Sequence, residues 1–478
     1  MHTETVQRDT KSGGSSSGAP SQDSSRADRG ALRGMSFAEG EAALAPSNEA
    51  PVQRQAGGNA PGGATTQAPE AAPNAPAAGA PATQEGPAPA QDILTPRQVL
   101  DAWDINRTQG LSVEWMAALQ GALGVPATGI SSKELVRALA MLQSESGQTR
   151  FLGQLKGPVR QFLVEKFPAL AAIPQKAEAQ NLQGATASAN GQAPEGEALR
   201  RLQIAPSYSA YVGTFKTLTF LGHPVVGHPE FLGRVANAQK YLAGKMPGKS
   251  DVEIGAAMGV TETSHFRTSG PNSDQMYHGL GFALDVNPPQ NNWHFGNGAR
   301  AAKMSDVMKH VGDLFGEKMV RNAGDMAKSA KEGTTDELFA KLEASNEALK
   351  SYRRFASDPA ALAAHLASDK ATPMAKSKGA AGWSTMIAND EQWLDRHMKG
   401  GAGDSGPAGF MDYKKELVIA LRDAGGLRWG GADLGGDNGD LMHFDGGTMD
   451  LAKRIRGKVR TVRAEATAQP APGAAPPA

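Results

Sequence analysis

Two short stretches of the chain combine the residue types that bind and use a metal ion. In the first, His278 stands seven positions before Asp285, and in the second, Asp440 stands three positions before His443. Two histidines and one carboxylate make the open, three-ligand set of a catalytic zinc site, which keeps water in its fourth position. A carboxylate that is not a ligand then serves as the proton acceptor for that water. Asp440 is the candidate for this second role.

The composition narrows the chemistry further. The 478 residues include no cysteine, which excludes disulfides, thiolate zinc sites, iron–sulfur clusters and cysteine nucleophiles. Any metal must therefore be held by histidines and carboxylates. The charges of the 49 basic and 49 acidic residues cancel, so the formal net charge is zero. No overall electrostatic field therefore favours nucleic acid or an anionic membrane as partner. No window approaches the ~18 apolar residues of a membrane-spanning helix, and the first residues lack the apolar centre of a secretory signal.

The residues around the first stretch predict how its two side chains meet. Apolar residues at positions 282, 284 and 286 alternate with small or polar ones, which is the period of a strand with one apolar face. Glycines before this strand let the backbone turn. His278 is therefore expected on the side of the strand from which Asp285 emerges.

The start of the chain is poor in large apolar side chains. Eight of the 30 prolines fall in residues 51–90, and Phe37 is the only aromatic residue before Trp103. Such a segment buries too little apolar surface to offset the entropy of ordering it. Residues 1–92 are therefore predicted to be disordered.

Composition also sets the remaining boundaries. A folded helical region is predicted at 93–178, a Gly- and Ala-rich linker at 179–199, a second folded region at 200–463 and a disordered tail at 464–478. The predicted fold class is α+β, with a small antiparallel sheet and helices around a zinc site, preceded by a small all-α domain.

The region 93–178 carries clear helix signals. Thr95 precedes a proline as an N-cap, a second helix is predicted from Val113, and the capping-box pattern at 131–134 opens a third at Leu135. Residues 151–179 predict one more amphipathic helical piece.

Part of this region resembles the small three-helix peptidoglycan-binding domain. The similarity rests on Gly124, Gly129 and Gln143 and covers about 25 residues, without the usual Asp-Gly pair of that domain. A generic helical bundle is the alternative interpretation.

The two metal-binding stretches together resemble a known peptidase family. The patterns are HxxGxAxD from residue 278, GxxWGG from residue 426 and DxMHF from residue 440. In this order they resemble the zinc D-alanyl-D-alanine carboxypeptidases and L-alanyl-D-glutamate endopeptidases, which include the vancomycin-resistance dipeptidases and several phage endolysins. The resemblance covers roughly residues 205–290 and 410–447.

The resemblance implies a role for each candidate residue. His278, Asp285 and His443 would be the ligands of Zn²⁺, and Asp440 would be the general base. Arg267, which lies upstream of the first ligand, would stabilise the negative charge on the oxygen of the tetrahedral intermediate.

The chain departs from the family pattern in three ways. Met276 replaces the serine that commonly stands two positions before the first ligand. His265 and His294 lie near the motif as alternative ligands, His265 being the better substitute. The last two ligands are 158 positions apart, so residues 298–409 are predicted to be an insertion in the catalytic domain.

The insertion is predicted to be largely helical. Helices are expected at 302–319 and 337–355, and a more irregular part is expected around Trp383 and Trp393. A lid or a substrate-recognition subdomain is the interpretation of this segment.

The resemblance implies a zinc-dependent hydrolase of peptidoglycan stem peptides, either a D,D-carboxypeptidase or an L-Ala-D-Glu endopeptidase. An endolysin-like enzyme or a delivered cell-wall toxin is expected, made in the cytoplasm without a Sec-type signal and then released or injected. The N-terminal tail is the segment that secretion or injection machinery would engage. The alternatives are a non-catalytic, metal-stabilised cargo protein of a phage or injection particle, and a zinc peptidase with a substrate outside the wall.

Overall fold

The computed structural model describes residues 93–189, 193–266, 276–288, 291, 299–316, 319–398, 409–435 and 439–468. These residues are mostly helical and include two small antiparallel sheets, which confirms the α+β class. They all belong to one compact unit of the chain, Glu85–Ala478. Among them, no helix is long and apolar enough to cross a membrane. The disorder predicted for 1–92 lies outside the described residues.

The first helices follow their local start signals. They are α1 (Pro96–Thr108), α2 (Val113–Ala122), α3 (Lys133–Glu145) and α4 (Gly157–Lys166), followed by a 3₁₀ turn (Pro168–Ala172). Thr95 caps α1 with a capping box, and Ser132 caps α3, which begins two residues earlier than predicted. The single piece predicted over 151–179 is instead a helix and a 3₁₀ turn, because Pro168 has no N–H with which to continue α4.

The predicted linker at 179–199 is part of the fold. Gln183–Gly184 form strand β1, which pairs with strand β2 (Lys216–Phe220), and helix α5 (Pro194–Arg201) begins before the predicted boundary. Leu199 of α5 is fully buried. The linker prediction is wrong here because an edge strand needs only backbone hydrogen bonds, which composition does not reveal.

The first sheet has the strand order β1-β2-β3, with β3 at His223–Gly227. Helix α6 (Tyr208–Val212) precedes β2, and helices α7 (Pro229–Lys245) and α8 (Asp251–Met258) follow β3. His228 caps α7, since its Nδ1 accepts a hydrogen bond from the Glu230 N–H. Helix α7 packs against both β2 and β3.

The second sheet has the strand order β4-β5-β7-β6. Its strands are β4 (Thr263–Ser264), β5 (Ala283–Val286), β6 (Arg428–Trp429) and β7 (His443–Asp445), and the short helix α9 (Met276–Gly279) precedes β5. All four residues of β5 are buried. The strand is therefore covered on both faces: Leu284 and Val286 lie on its apolar face, as predicted, and Asp285 lies on the other.

The described residues of the predicted insertion form five helices. They are α10 (Ala299–Phe315), α11 (Ala323–Glu332), α12 (Thr335–Arg354), α13 (Pro359–Ala367) and α14 (Pro373–His397). The predicted helices at 302–319 and 337–355 correspond to α10 and α12. The irregular part predicted around Trp383 and Trp393 is wrong, because both lie in α14, which is kinked at Gly379. Burial of one helix face against the core stabilises a helix that local propensity alone does not predict.

The insertion helices share their core with the two sheets. One continuous cluster of buried side chains includes Leu342 of α12 and Trp383 of α14 together with Phe282 beside β5. Two smaller clusters fill the region of α1 to α4 and include Trp103 and Trp115. The insertion therefore helps to build the core that surrounds the second sheet.

The last residues that the structure describes are helical. Helix α15 (Lys415–Val418) continues into a π-helical turn (Ile419–Ala424), and helix α16 spans Asp450–Ala468. The predicted tail at 464–478 begins too early, because α16 continues to Ala468 and Glu465 forms an ion pair with Arg201 of α5. Residues 469–478 lie outside the described part of the chain.

Candidate metal centre

The second sheet brings the two metal-binding stretches together. In the antiparallel pairing of β5 with β7, Asp285 lies directly opposite His443. The side chains of such a pair emerge on the same face, with their Cβ atoms about 4.5–5.5 Å apart. Residues that are far apart in sequence are thus cross-strand neighbours, and the insertion does not separate them in space.

His278 reaches the same place from helix α9. The turn between α9 and β5 contains Gly281, whose φ is +72°. A Cβ at this position would lie 2.6 Å from Cζ of Phe215 and 2.8 Å from the backbone nitrogen of His228. Only glycine fits both the conformation and the space, so the turn predicted from the glycines is confirmed.

Two tyrosines of α6 hold this turn. The Tyr208 hydroxyl donates to the Gly279 carbonyl at 2.5 Å, and the Tyr211 hydroxyl donates to the Leu280 carbonyl at 2.9 Å. Burial raises the pKa of both tyrosines well above its usual range. Both hydroxyls therefore remain protonated donors, and the backbone that follows the first candidate ligand is fixed.

Three atoms meet at the centre of the group. His278 Nε2 lies 3.2 Å from Asp285 Oδ1 and 3.2 Å from His443 Nδ1. The third side of the triangle, from His443 Nδ1 to Asp285 Oδ1, is 3.0 Å. The three residues are only 2%, 2% and 7% exposed, respectively. Together they form a buried group that could hold a metal ion.

The geometry of this triangle fits a tetrahedral metal. With metal–ligand bonds of about 2.0–2.1 Å, ligand atoms at the corners of a tetrahedron lie roughly 3.3–3.4 Å apart. The three separations of 3.0–3.2 Å fall just short of that value. A slight spreading of the side chains therefore accommodates an ion and leaves a fourth corner of the tetrahedron for another ligand.

Outer partners orient both imidazoles for metal binding. The Nδ1–H of His278 donates to the backbone carbonyl of His265 at 3.1 Å, because a carbonyl can only accept. The Nε2–H of His443 donates to the Asp445 carboxylate at 3.1 Å. With a metal bound, each ring would present its other nitrogen, released from its proton, toward the centre, as in the carboxylate–histidine–metal arrangements of known metal sites.

Asp445 is itself held in place. Its two oxygens accept hydrogen bonds from Nε and one terminal nitrogen of Arg428, both at 2.7 Å, and one of them also accepts from the Gly447 N–H at 2.8 Å. The Arg428 guanidinium lies 5.1 Å from the ring centroid of Tyr277, the residue before His278. Arg428 therefore links the surroundings of two candidate ligands.

The electrostatics favour the ionised carboxylates. Burial acts to raise the pKa of Asp285, but hydrogen bonds from His278 and His443 hold it well below its usual range. Burial likewise acts to raise the pKa of Asp445, but the hydrogen bond from His443 and the charge of Arg428 lower it to about 2. For His443, burial acts to lower the pKa, but hydrogen bonds to the two carboxylates raise it to about 10.

The other candidate residues lie outside the three-ligand group. Asp440 is half-buried on the loop before β7, and its backbone carbonyl accepts from the His443 N–H at 3.1 Å. His265 contributes its carbonyl to His278, and its ring does not belong to the metal-binding group found among the described residues. Arg267 and His294 lie outside the described residues.

The sequence interpretation gave no role to Asp445 or Arg428. A local signal for Asp445 was present, because residues two apart on a strand share a face and Asp445 follows His443 by two positions. No local signal identifies Arg428, which lies opposite Asp445 only through the pairing of β6 with β7.

A cavity of about 290 Å³ lies apart from the three ligands. It is lined by α1, by α11 and by the loop after β6, including Trp103, Lys331 and Asp433. Its polar side chains are largely paired with one another, as in the bidentate contact of Arg422 with Asp433. The arrangement with metal-site chemistry is therefore the His–Asp–His group and not this cavity.

Comparison with protein-family models, with characterised proteins and with solved structures gave no match for this chain. The assignment of His278, Asp285 and His443 as a group that could hold a metal ion therefore rests on their geometry and chemistry.

Proposed function

We propose that the protein is a zinc-dependent peptidase that hydrolyses the stem peptides of bacterial peptidoglycan. The observation that carries this proposal is the buried triangle of His278 Nε2, Asp285 Oδ1 and His443 Nδ1, with separations of 3.0–3.2 Å. Structural zinc sites usually have four protein ligands. A group of three ligands with an open fourth position is typical of catalysis.

The choice of zinc follows from the donor set. Nitrogen from two imidazoles and oxygen from one carboxylate suit Zn²⁺ better than Mg²⁺ or Ca²⁺, which prefer oxygen ligands throughout. Bound at this place, Zn²⁺ would polarise a peptide carbonyl and lower the pKa of water toward ~7.

The protein's own residues supply the remaining roles. Asp440 accepts the proton of the attacking water and returns it to the leaving amine. Arg267 offsets the negative charge that develops on the carbonyl oxygen. Asp445 and Arg428 keep His443 in the tautomer that binds metal through Nδ1.

The substrate class rests on the sequence patterns around these residues. The order HxxGxAxD, GxxWGG and DxMHF resembles peptidases that act on peptides with D-amino acids, and the region of α1 to α3 resembles a peptidoglycan-binding domain. Both a D,D-carboxypeptidase and an L-Ala-D-Glu endopeptidase agree with these patterns. An endolysin-like enzyme or a delivered cell-wall toxin is the biological role that we propose.

The test is hydrolysis of defined muropeptides by the purified full chain. The metal-free protein, the protein with one equivalent of Zn²⁺ and the Zn²⁺-loaded protein with excess chelator are incubated with muropeptides, and the products are identified by mass spectrometry. Chelator-sensitive loss of a terminal D-Ala supports the carboxypeptidase. Chelator-sensitive release of a peptide that begins with D-Glu, with L-Ala left on MurNAc, supports the endopeptidase.

Matched variants separate catalysis from metal binding. His443→Ala is expected to lose both zinc and activity, and Glu391→Gln, which alters an ion pair with Arg353 in the insertion, is expected to retain both. If the parent protein holds one zinc per chain and cleaves no muropeptide, the proposed activity is wrong. The non-catalytic, metal-stabilised cargo protein then becomes the better interpretation.

A further inference from the structure

The loop between α1 and α2 is fastened to the turn that leads into β6. The link is Asn237 of α7, whose side chain is fully buried. Its Nδ2 donates to the Leu111 carbonyl at 3.0 Å and to the Ala424 carbonyl at 2.6 Å, and its Oδ1 accepts from the Val113 N–H at 3.1 Å. One buried amide therefore satisfies backbone groups of both segments, so they cannot separate without leaving buried polar groups unpaired.

Arg107 at the end of α1 makes a second, charged link. Its side chain is 3% exposed, and one terminal nitrogen lies 2.9 Å from Asp433 Oδ1. Arg422 of the π-helical turn binds the same carboxylate from its own side through two contacts of 2.8 and 2.7 Å. Asp433 is thus held between a cation from the N-terminal helices and a cation from the C-terminal part of the fold.

Asp433 in turn fixes the strand next to the metal centre. Its Oδ2 accepts from the Trp429 N–H at 2.9 Å. The indole Nε1–H of Trp429 donates to the Leu441 carbonyl at 2.8 Å, and the Gly430 N–H donates to the His443 carbonyl at 2.8 Å. The path from α1 therefore reaches the backbone of one candidate ligand through hydrogen bonds and the peptide bond between Trp429 and Gly430.

We propose that Arg107 is a positioning residue of the metal centre, acting through Asp433 and Trp429 on the backbone of His443. The helices at 93–178 are then part of the scaffold of the site. This inference rests on the metal site of the proposed function but not on its substrate.

Arg107 affects the position of Asp433 because its positive charge compensates the Asp433 carboxylate. The Asp433 side chain is only 12% exposed, and a carboxylate so far removed from water needs compensation by cations and hydrogen bonds. Without Arg107, Asp433 keeps Arg422 as a charged partner on one side. The Asp433 carboxylate is then free to shift toward Arg422. The Trp429 N–H donates a hydrogen bond to Asp433, so a shift of Asp433 moves Trp429 with it. The position of β6 then changes and, through the sheet, so does that of β7.

The experiment measures metal binding by the folded full chain. The variants are Arg107→Gln, Asp433→Asn and the double variant, with Arg97→Gln as the matched control. Arg97 lies on the same helix and pairs with Asp101 at the surface. The Zn²⁺ dissociation constant is measured by competition with a chromophoric chelator, and the Co²⁺-substituted proteins are compared by their d–d absorption spectra.

Arg107→Gln is expected to weaken Zn²⁺ binding by about 10-fold, the lower end of the range for residues that support metal ligands, and to change the Co²⁺ spectrum. Arg97→Gln is expected to stay within about twofold of the parent. The double variant is expected to lose less than the product of the two single losses, because both substitutions remove the same contact.

A lowered denaturation midpoint of Arg107→Gln with an unchanged Zn²⁺ dissociation constant and Co²⁺ spectrum would overturn the proposal, since the network would then only stabilise the fold. If Arg107→Gln does not fold, Arg107→Lys decides, because lysine keeps the charge without the planar fork. An intermediate dissociation constant supports the positioning role, and an unchanged one contradicts it. A parent chain that binds no Zn²⁺ overturns both this inference and the proposed function, whereas a zinc-loaded parent that cleaves no muropeptide overturns the proposed activity alone.

Discussion

Arg428 and Asp445 are cross-strand partners on β6 and β7, and two hydrogen bonds of 2.7 Å join the guanidinium to the carboxylate. The same carboxylate accepts a hydrogen bond from His443. The pair therefore sets both the orientation and the protonated nitrogen of one candidate metal ligand. Its position is decided by the pairing of two very short strands.

Asp445→Asn is expected to weaken Zn²⁺ binding by about 10- to 100-fold, because a residue that orients a ligand contributes that much to metal affinity. The amide keeps the shape of the side chain but loses the charge that Arg428 and His443 require. Competition with a chromophoric chelator measures the change. Glu391→Gln is the control, and an Asp445→Asn affinity equal to that of the control would show that Asp445 has no orienting role.

Removal of the metal is expected to lower thermal stability. A ligand that binds only the folded state at 100 times its dissociation constant adds about 2.7 kcal/mol of stability. We therefore expect the Tm of the parent to fall when excess chelator is added to the Zn²⁺-loaded protein, and calorimetry measures the shift. His443→Ala should show the same Tm with and without chelator, and a chelator-dependent Tm in that variant would place the metal elsewhere.

Asp440→Ala is expected to retain zinc and the fold while kcat falls by about 100-fold or more, the usual contribution of a general base. Zinc content by mass spectrometry and kcat on muropeptides test the two halves of this expectation separately. Hydrolysis at the parental rate would exclude Asp440 as the proton acceptor. Loss of zinc would instead place its carboxylate among the groups that hold the metal.

Tyr208→Phe and Tyr211→Phe each remove one hydrogen bond to the turn after His278. Each is expected to cost about 0.5–1.5 kcal/mol of unfolding free energy, and both are expected to weaken Zn²⁺ binding. Urea denaturation and chelator competition measure the two effects. Tyr241→Phe, at a tyrosine of similar burial on α7, is the control, and equal Zn²⁺ affinity in all three variants would argue against a positioning role for the turn.

The ion pairs of Asp433 with Arg107 and Arg422 are expected to make the stability of the fold depend on pH. Burial acts to raise the pKa of Asp433, but the charges of Arg107 and Arg422 hold it well below its usual range. Because the pKa of an aspartate in the unfolded chain is about 3.9, this contribution is complete above about pH 5 and is lost as the pH falls toward the lower, folded-state value. Stability should therefore decline on acidification partly through this residue.

The substitution Asp433→Asn tests whether the contribution of Asp433 to stability declines on acidification. At pH 7 it is expected to cost about 3–5 kcal/mol, the effect of breaking a buried ion pair. The difference in urea midpoint between parent and variant should shrink as the pH falls from 5 to about 2. A difference that stays constant over this range would show that the charge of Asp433 does not stabilise the folded state.

The sequence by itself determined the ligand types and the local elements that carry them. The absence of cysteine, the spacing of His278 and Asp285, the turn at Gly281 and the starts of α1 and α2 all depend on neighbours within a few residues. Such local preferences act on the chain before any long-range contact forms. For this reason the three residues of the group that could hold a metal ion, and the starts of α1 and α2, were predictable.

The tertiary structure decided which distant groups meet. The register of β5 against β7 sets Asp285 opposite His443, and the pairing of β6 with β7 sets Arg428 opposite Asp445. Neither pairing has a local sequence signal, because strand partners are chosen by the packing of the whole core. The same reason explains why the edge strand in the predicted linker and the helix around Trp383 were missed: each is stabilised by contacts with residues remote in sequence.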